Sequence, residues 1–185
     1  MEPEALSHEV KSQPSGAPPR LPPICGDFHI RIDRNGTWYY LNSPIGRLAL
    51  AKLFATVLRR EADGSYWLTT PAENGRIEVE DVPFVAVELT TEGHGRRRTV
   101  SFRTNLDDVV TLGPDHPLRM GSDGVSGAPA PYVLIRAGLE ARLARSVYYH
   151  LVDISEPSPH DGEVLGVWSQ SLFFPIGATT DGGPP

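Results

Sequence analysis

Cysteine is almost missing from this sequence: Cys25 stands alone in 185 residues. A single thiol excludes an intrachain disulfide and any cysteine-built metal cluster, and it fits a reducing compartment. Lysine is nearly as scarce. Of 17 basic residues only Lys11 and Lys52 are lysines, which leaves 15 arginines, the side chain that forks onto carboxylate or phosphate. A GC-rich genome would leave the same bias. Basic residues are outnumbered, with a net charge of -6 and a pI near 5.5, the wrong sign for a protein whose affinity comes from neutralising many phosphates. Bulk nucleic acid is therefore not an expected partner, although a local pocket for one small anion remains compatible with the arginines. No run of about 18 apolar residues occurs, and the mean hydropathy is -0.24, so no membrane-spanning helix and no membrane partner are expected. The chain opens Met1-Glu2-Pro3-Glu4 without the basic and apolar segments of a secretory signal, which makes the cytoplasm the expected location.

Catalytic signatures are missing as well. There is no G-x-S-x-G elbow, no P-loop, no H-E-x-x-H and no C-x-x-C. Gly93-His94-Gly95 begins like a dinucleotide fingerprint but has neither the third glycine nor a following helix. Asp153, Glu156, His160, Asp161 and Glu163 gather in a Ser/Pro-rich stretch without fixed ligand spacing and read as a solvated turn, so no metal and no catalytic residues are assigned.

What the sequence has in excess is glycine and proline, 18 of each, against a hydrophobic content of 39% that is too high for a wholly disordered chain. Residues 1–23 hold six prolines and read as a disordered tail, and residues 177–185 read as a flexible one. Between them the pattern is α+β. Phe28, Ile30 and Ile32 alternate with polar residues, and Asn35-Gly36 then turns the chain into Trp38-Tyr39-Tyr40-Leu41 as a hairpin. Ser43 and Pro44 are placed to open a helix whose Leu50, Leu53, Phe54, Val57 and Leu58 form one buried stripe. Strands follow at Tyr66–Thr69 and, after a turn at Asn74-Gly75, at Ile77–Val79, and then from Phe84 to Leu89. The second half adds strands near Val100, Val109 and Tyr132. A helix is then expected over 138–152, from Leu139, Leu143, Val147 and Leu151 at successive i+4 positions, before a strand pair at Val164–Trp168 and Leu172–Phe174. Residues 113–131, with eight glycines and prolines, read as one long loop. The division is an N-terminal half over 24–95 and a C-terminal half over 96–176, each a small antiparallel sheet with one main helix. Ala51-Lys52-Leu53 and Ala141-Arg142-Leu143 give a faint echo between the two helices at an offset of 90 residues.

Arg136, Arg142 and Arg145 stand near Tyr132, Tyr148 and Tyr149, and Arg47 opens the first helix. Guanidiniums beside aromatic faces and helix N-terminal amides are the parts of a phosphate-and-base pocket. Salt bridges to Glu73, Asp81 or Glu140 would use the same arginines structurally.

The segments GTWYYLNSPIGR, LFATVLRREADGSYWLTTPAE, EDVPFVAVE, PYVLIRAGLEARLARSVYYHLV and GVWSQSLFFPIG resemble the bacterial family known as domain of unknown function 1285, over about residues 25–177. The resemblance implies two structurally repeated halves, the second pleckstrin-homology-like, with a nucleotide-like ligand bound between them and a regulatory or signalling role. The positions it implies for lining that groove are Trp38, Ser43, Arg47, Trp67, Glu73 and Asp81 in the first half and Asn105, Tyr132, Arg136 and Arg142 in the second. Asn42 and Gln170 stand where the family is expected to have glycine. The leading expectation is thus a non-enzymatic, ligand-sensing module with a small-molecule partner and no other cofactor. One alternative is a hydrolase of a nucleotide-like substrate with Glu73 or Asp81 as base, and another is a protein-interaction module using the 113–131 loop or an exposed strand edge.

Overall fold

The structure is a computed structural model that describes residues 24–123 and 127–178. The tail readings for residues 1–23 and 179–185 lie outside the described residues, whereas Gly177 and Ala178 end the last strand.

The first half contains β1 (Ile24–Ile32), β2 (Trp38–Tyr40), β3 (Ser43–Pro44), α1 (Leu48–Thr56), β4 (Leu58–Arg60), β5 (Tyr66–Thr69) and β6 (Asn74–Val79). The expected first hairpin is present. The Asp33 carboxylate accepts from the backbone N–H groups of Asn35 and Thr37, Gly36 takes φ +78°, and Ile32 then faces Trp38 and Ile30 faces Tyr40 across β1 and β2. This is the side-chain-to-backbone turn that Asp and Gly favour.

Several local expectations fail for identifiable reasons. Ser43 and Pro44 do not open a helix; they pair with Tyr40 and Tyr39 as β3, and α1 starts at Leu48 after an extended Arg47. The buried face of α1 is Ala51 and Ala55, while Leu50 and Leu53 are 37% and 61% exposed and Leu58 is buried on β4 instead. Asn74 and Gly75 lie within β6, and the turn is made at 70–73, where Thr70 N–H donates to the Glu73 carbonyl. A Cβ at Gly75 would sit 2.5 Å from the Phe28 ring, so that glycine serves close packing of β1 on β6.

The second half contains β7 (Phe84–Glu92), β8 (Thr99–Thr104), β9 (Val109–Thr111), β10 (Leu118–Ser122), β11 (Pro129–Arg136), β12 (Leu139–Leu143), α2 (Arg145–Asp153), β13 (Glu156–Pro157), β14 (Val164–Ser169) and β15 (Leu172–Ala178). Residues 139–143, expected in the helix, form a strand with Leu139, Ala141 and Leu143 buried and Glu140 and Arg142 between them. A spacing of four is even, so it satisfies the period of a strand as well as that of a helix. The echo between Ala51–Leu53 and Ala141–Leu143 therefore compares a helix with a strand. Residues 113–131 are not one loop: most of them form the β10–β11 hairpin, with Leu118 opposite Val133 and Met120 opposite Pro131. The prolines are tolerated because β12 pairs with β11 only from Tyr132 onward.

The repeat lies in the sheets. Their strand orders are β3-β2-β1-β6-β5-β4 and β10-β11-β12-β7-β8-β9. Each is two three-stranded meanders joined by one parallel pair between the first strand of the first meander and the last strand of the second, β1 with β6 and β7 with β12. The sheets divide at residues 80–83. The sequence division at residue 95 falls later because Phe84–Glu92, grouped with the first half, pairs with β8 in the second sheet. The helices are not in equivalent places: α1 links the two meanders of the first sheet, and α2 follows the last strand of the second. Residues of both sheets nonetheless share one continuous apolar cluster, in which Ile32, Phe84, Phe102 and Val133 are fully buried. Each such side chain contributes about 1.5–3 kcal/mol relative to exposure.

Candidate functional site

Two regions take up eight of the ten residues singled out by the sequence, and they differ in kind. The first is the seam between the halves. Arg142, on β12, donates Nη2 to the Arg34 carbonyl at 2.8 Å and Nη1 to Asp123 at 3.3 Å, and its Nε lies 3.5 Å from Asp81. Arg34 also pairs with Asp123, at 3.2 Å. Tyr132 donates its hydroxyl to Asp81 at 3.2 Å, and the Arg119 guanidinium covers the Tyr132 ring at 4.3 Å. Burial, followed by the Asp81 charge, pushes the Tyr132 phenol above its ordinary pKa, which keeps it a donor. Further along, Arg136 donates Nη2 to the Ala55 carbonyl at 2.9 Å, pairs with Asp108 at 3.1 Å and lies over the Phe84 ring. The Ala55 carbonyl belongs to the last turn of α1, where a cation is favoured. Asn105 closes the seam again: its Nδ2 donates to the Gly36 carbonyl at 2.9 Å and its Oδ1 accepts from Val85 N–H at 3.0 Å. A Cβ on Gly36 would meet Asn105 Nδ2 at 2.5 Å, so the two halves touch there.

Asp81, Tyr132 and Arg142 thus form one cluster, with Arg136 and Asn105 elsewhere in the same seam. Their polar groups bind one another and backbone carbonyls from the opposite half. Two crevices of about 340 and 200 Å³ flank Arg136.

The second region is a groove of about 710 Å³ in the first half. Its apolar walls are Phe28 and Ile30 of β1, Leu50 and Phe54 of α1, and Leu68 of β5. Ser43, Arg47 and Glu73 line it too, together with Asp27 and His29. The Ser43 hydroxyl and the Arg47 guanidinium have no hydrogen-bond or ion-pair partner among the described residues. Backbone strain collects at its rim. His29 and Leu41 hold φ +52° and +47°, and Leu41 N–H donates to the His29 carbonyl. Non-glycine residues in this region cost about 1–3 kcal/mol and cluster at ligand clamps and switch regions. Asn42 and Gln170, which replace expected glycines, also take positive φ, +64° and +51°.

Trp38 and Trp67 belong to neither region. Trp38 is buried at 2% exposure, stacks on Phe54 at 6.2 Å and has no partner for its indole N–H among the described residues, while Trp67 donates its indole N–H to Ser65 at 2.8 Å. The expected carboxylate bases are held apart: Asp81 is engaged by Arg142 and Tyr132 in the seam, and Glu73 sits in the β5–β6 turn at the groove. Arg145, Tyr148 and Tyr149 line a cavity of about 520 Å³ at the start of α2 together with Arg142 and Asp123 of the seam, and Arg145 Nε donates there to the Tyr149 hydroxyl at 2.8 Å. No group of metal-ligating side chains exists among the described residues, and no helix there is long and apolar enough to cross a membrane.

Nothing in their local pattern sets Phe28, Ile30, Leu50 and Phe54 apart from core residues as the lining of a groove. One signal was available: α1 reads LALAKLFAT, with more apolar side chains than a single buried stripe uses.

Residues 20–82 match the model described as "Domain of unknown function (DUF1285), N-terminal domain", and residues 83–176 match "Protein of unknown function (DUF1285), C-terminal domain". A solved structure of a DUF1285 family protein from Silicibacter pomeroyi DSS-3 is 42% identical, covering 85% of this chain and 84% of that one with a TM-score of 0.80. Another, from Shewanella baltica OS155, is 26% identical over 67% of this chain and 90% of that one, with a TM-score of 0.53. No curated protein matches the chain.

Proposed function

The chain belongs to the DUF1285 family, and we propose that it is a non-enzymatic binding module whose site is the apolar groove between α1 and the first sheet. One observation carries the reading: a concave surface of about 710 Å³ with hydrocarbon walls ends in two polar groups that have no partner in the described chain, Ser43 and Arg47. This is the general make-up of a small-molecule site. A nucleotide-like ligand between the halves is less well supported, because the Arg136 and Arg142 guanidiniums would have to leave Asp108, Asp123 and Asp81 to reach it. Hydrolysis with Glu73 or Asp81 as base is weakened by their separation. A regulatory role in the cytoplasm fits a binding module with one cysteine. Pleckstrin-homology-like character for the second half finds support in its order of six strands followed by α2.

A thermal-shift comparison tests the reading. Small apolar compounds are expected to raise Tm in the wild type and not in Leu50→Glu, a change at a position 37% exposed and therefore tolerated by the fold. Nucleotides are expected to leave Tm unchanged. A nucleotide shift that disappears in Arg136→Ala would return the site to the seam.

A further inference from the structure

We infer that the groove takes a single-chain amphiphile with an anionic head, of the kind represented by a long-chain fatty-acid anion. The inference rests on the groove being the binding site. The head lies against the Ser43 hydroxyl and the Arg47 guanidinium, and the chain runs between α1 and β1 over Phe28, Ile30, Leu50 and Phe54.

The polarity of the groove sets this orientation. Arg47 is its one arginine, and that guanidinium is free among the described residues, whereas the seam arginines Arg34, Arg136 and Arg142 are all paired. The two carboxylates lie toward the other end. Ser43 pairs with Tyr40, which faces Ile30 on β1, whereas Glu73 precedes Asn74, which is in register with Ile24 at the start of β1. Between Ser43 on β3 and the start of β6 there are three inter-strand steps, about 14 Å at the usual spacing of ~4.8 Å. Asp27 already accepts from the His29 N–H at 2.7 Å. An anion is therefore attracted at the Ser43–Arg47 end and repelled at the Glu73 end, across walls that are mainly hydrocarbon, with His29, Tyr40 and Thr70 as the remaining polar lining. A cationic head would meet the reverse field, and a ligand bearing polar groups along its length would bury them against Phe28, Leu50 and Phe54 without partners. A volume of about 710 Å³ lies within the range of a pocket for one small ligand, which suits one alkyl chain.

Myristate, tetradecanol and tetradecylammonium, each below its micellar concentration, are titrated into the full chain, its Arg47→Ala variant and its Leu50→Glu variant. Binding is followed by calorimetry and by the fluorescence of Trp38, which stacks on the groove-lining Phe54. Myristate is expected to bind once per chain. Arg47→Ala should weaken it about tenfold or more, the loss of a hydrogen bond to a charged group, and tetradecanol should bind both proteins at that weakened level. Leu50→Glu should abolish binding of all three at unchanged Tm. If the three probes bind alike and Arg47→Ala changes none of them, the anionic class is overturned and the groove stands. If no chain binds, or Leu50→Glu binds as the wild type does, the groove itself is overturned. Arg47-dependent binding to anionic phospholipid vesicles without binding of free myristate would overturn the single-chain ligand in favour of a membrane surface.

Discussion

The seam and the groove use the same residue types to opposite ends. In the seam every guanidinium described above has a carboxylate or a backbone carbonyl, Arg136 and Arg142 having both. In the groove the Arg47 guanidinium and the Ser43 hydroxyl have no partner among the described residues and stand beside the exposed Leu50. On the proposed reading, side chains capable of binding phosphate do not mark the ligand site when their partners are already present, and the unpaired surface does. The difference also separates stability from function: substitutions in the seam should loosen the fold, and substitutions in the groove should not.

Arg142→Ala should break the comparison hardest. The Arg142 side chain is 18% exposed, as is that of Asp81, and its removal strips both Asp81 and Asp123 of a charged partner. A loss of about 2–3 kcal/mol in urea unfolding is expected, and a loss below 0.5 kcal/mol would mean that the seam is not a structural joint. Gly36→Ala should cost somewhat less, about 1–2 kcal/mol, because it adds a Cβ at φ +78° and 2.5 Å from Asn105.

A smaller effect appears with pH. Lys52 of α1 hydrogen-bonds Asp107 of the second half at 2.6 Å; this contact first, then Arg103, holds the Asp107 carboxyl below its ordinary value. A depressed carboxylate stabilises the fold above its unfolded pKa of ~3.9 and loses that contribution as pH falls through the lower folded value. Asp107→Asn should therefore lower stability slightly at neutral pH, where the contribution is complete, and leave it unchanged below the folded pKa, so that the acid limb flattens. Smallest of all, Leu53→Gln, at 61% exposure on the open side of α1, should change stability by less than about 0.5 kcal/mol.

How far the sequence reached follows the range of the interactions. The β1–β2 hairpin was legible because Asp33, Asn35 and Gly36 encode it within a few residues, and β5 and β14 because their aromatic and β-branched runs are short and bounded. The β12 strand was not, since Leu139 and Leu143 fit two periods equally and the choice is made by Phe84 and Ala86 of β7, which pair with Ala141 and Leu143. The parallel joins that define the repeat link strands some fifty residues apart and leave no local mark. At the candidate site, the arginines and aromatics were visible as types, but Arg142 finds its carbonyl 108 positions away at Arg34. The groove was invisible for the same reason, since Phe28, Leu50 and Leu68 meet only after the sheet has formed.

The contrast is tested most directly by mapping an apolar or fatty-acid probe on the isotope-labelled chain through its amide resonances. Shifts concentrated at residues 28–30, 43–50 and 68–73, with the amides of Asp81, Tyr132, Arg136 and Arg142 unmoved, are the predicted result. Shifts centred on those four residues, with the groove silent, would contradict it.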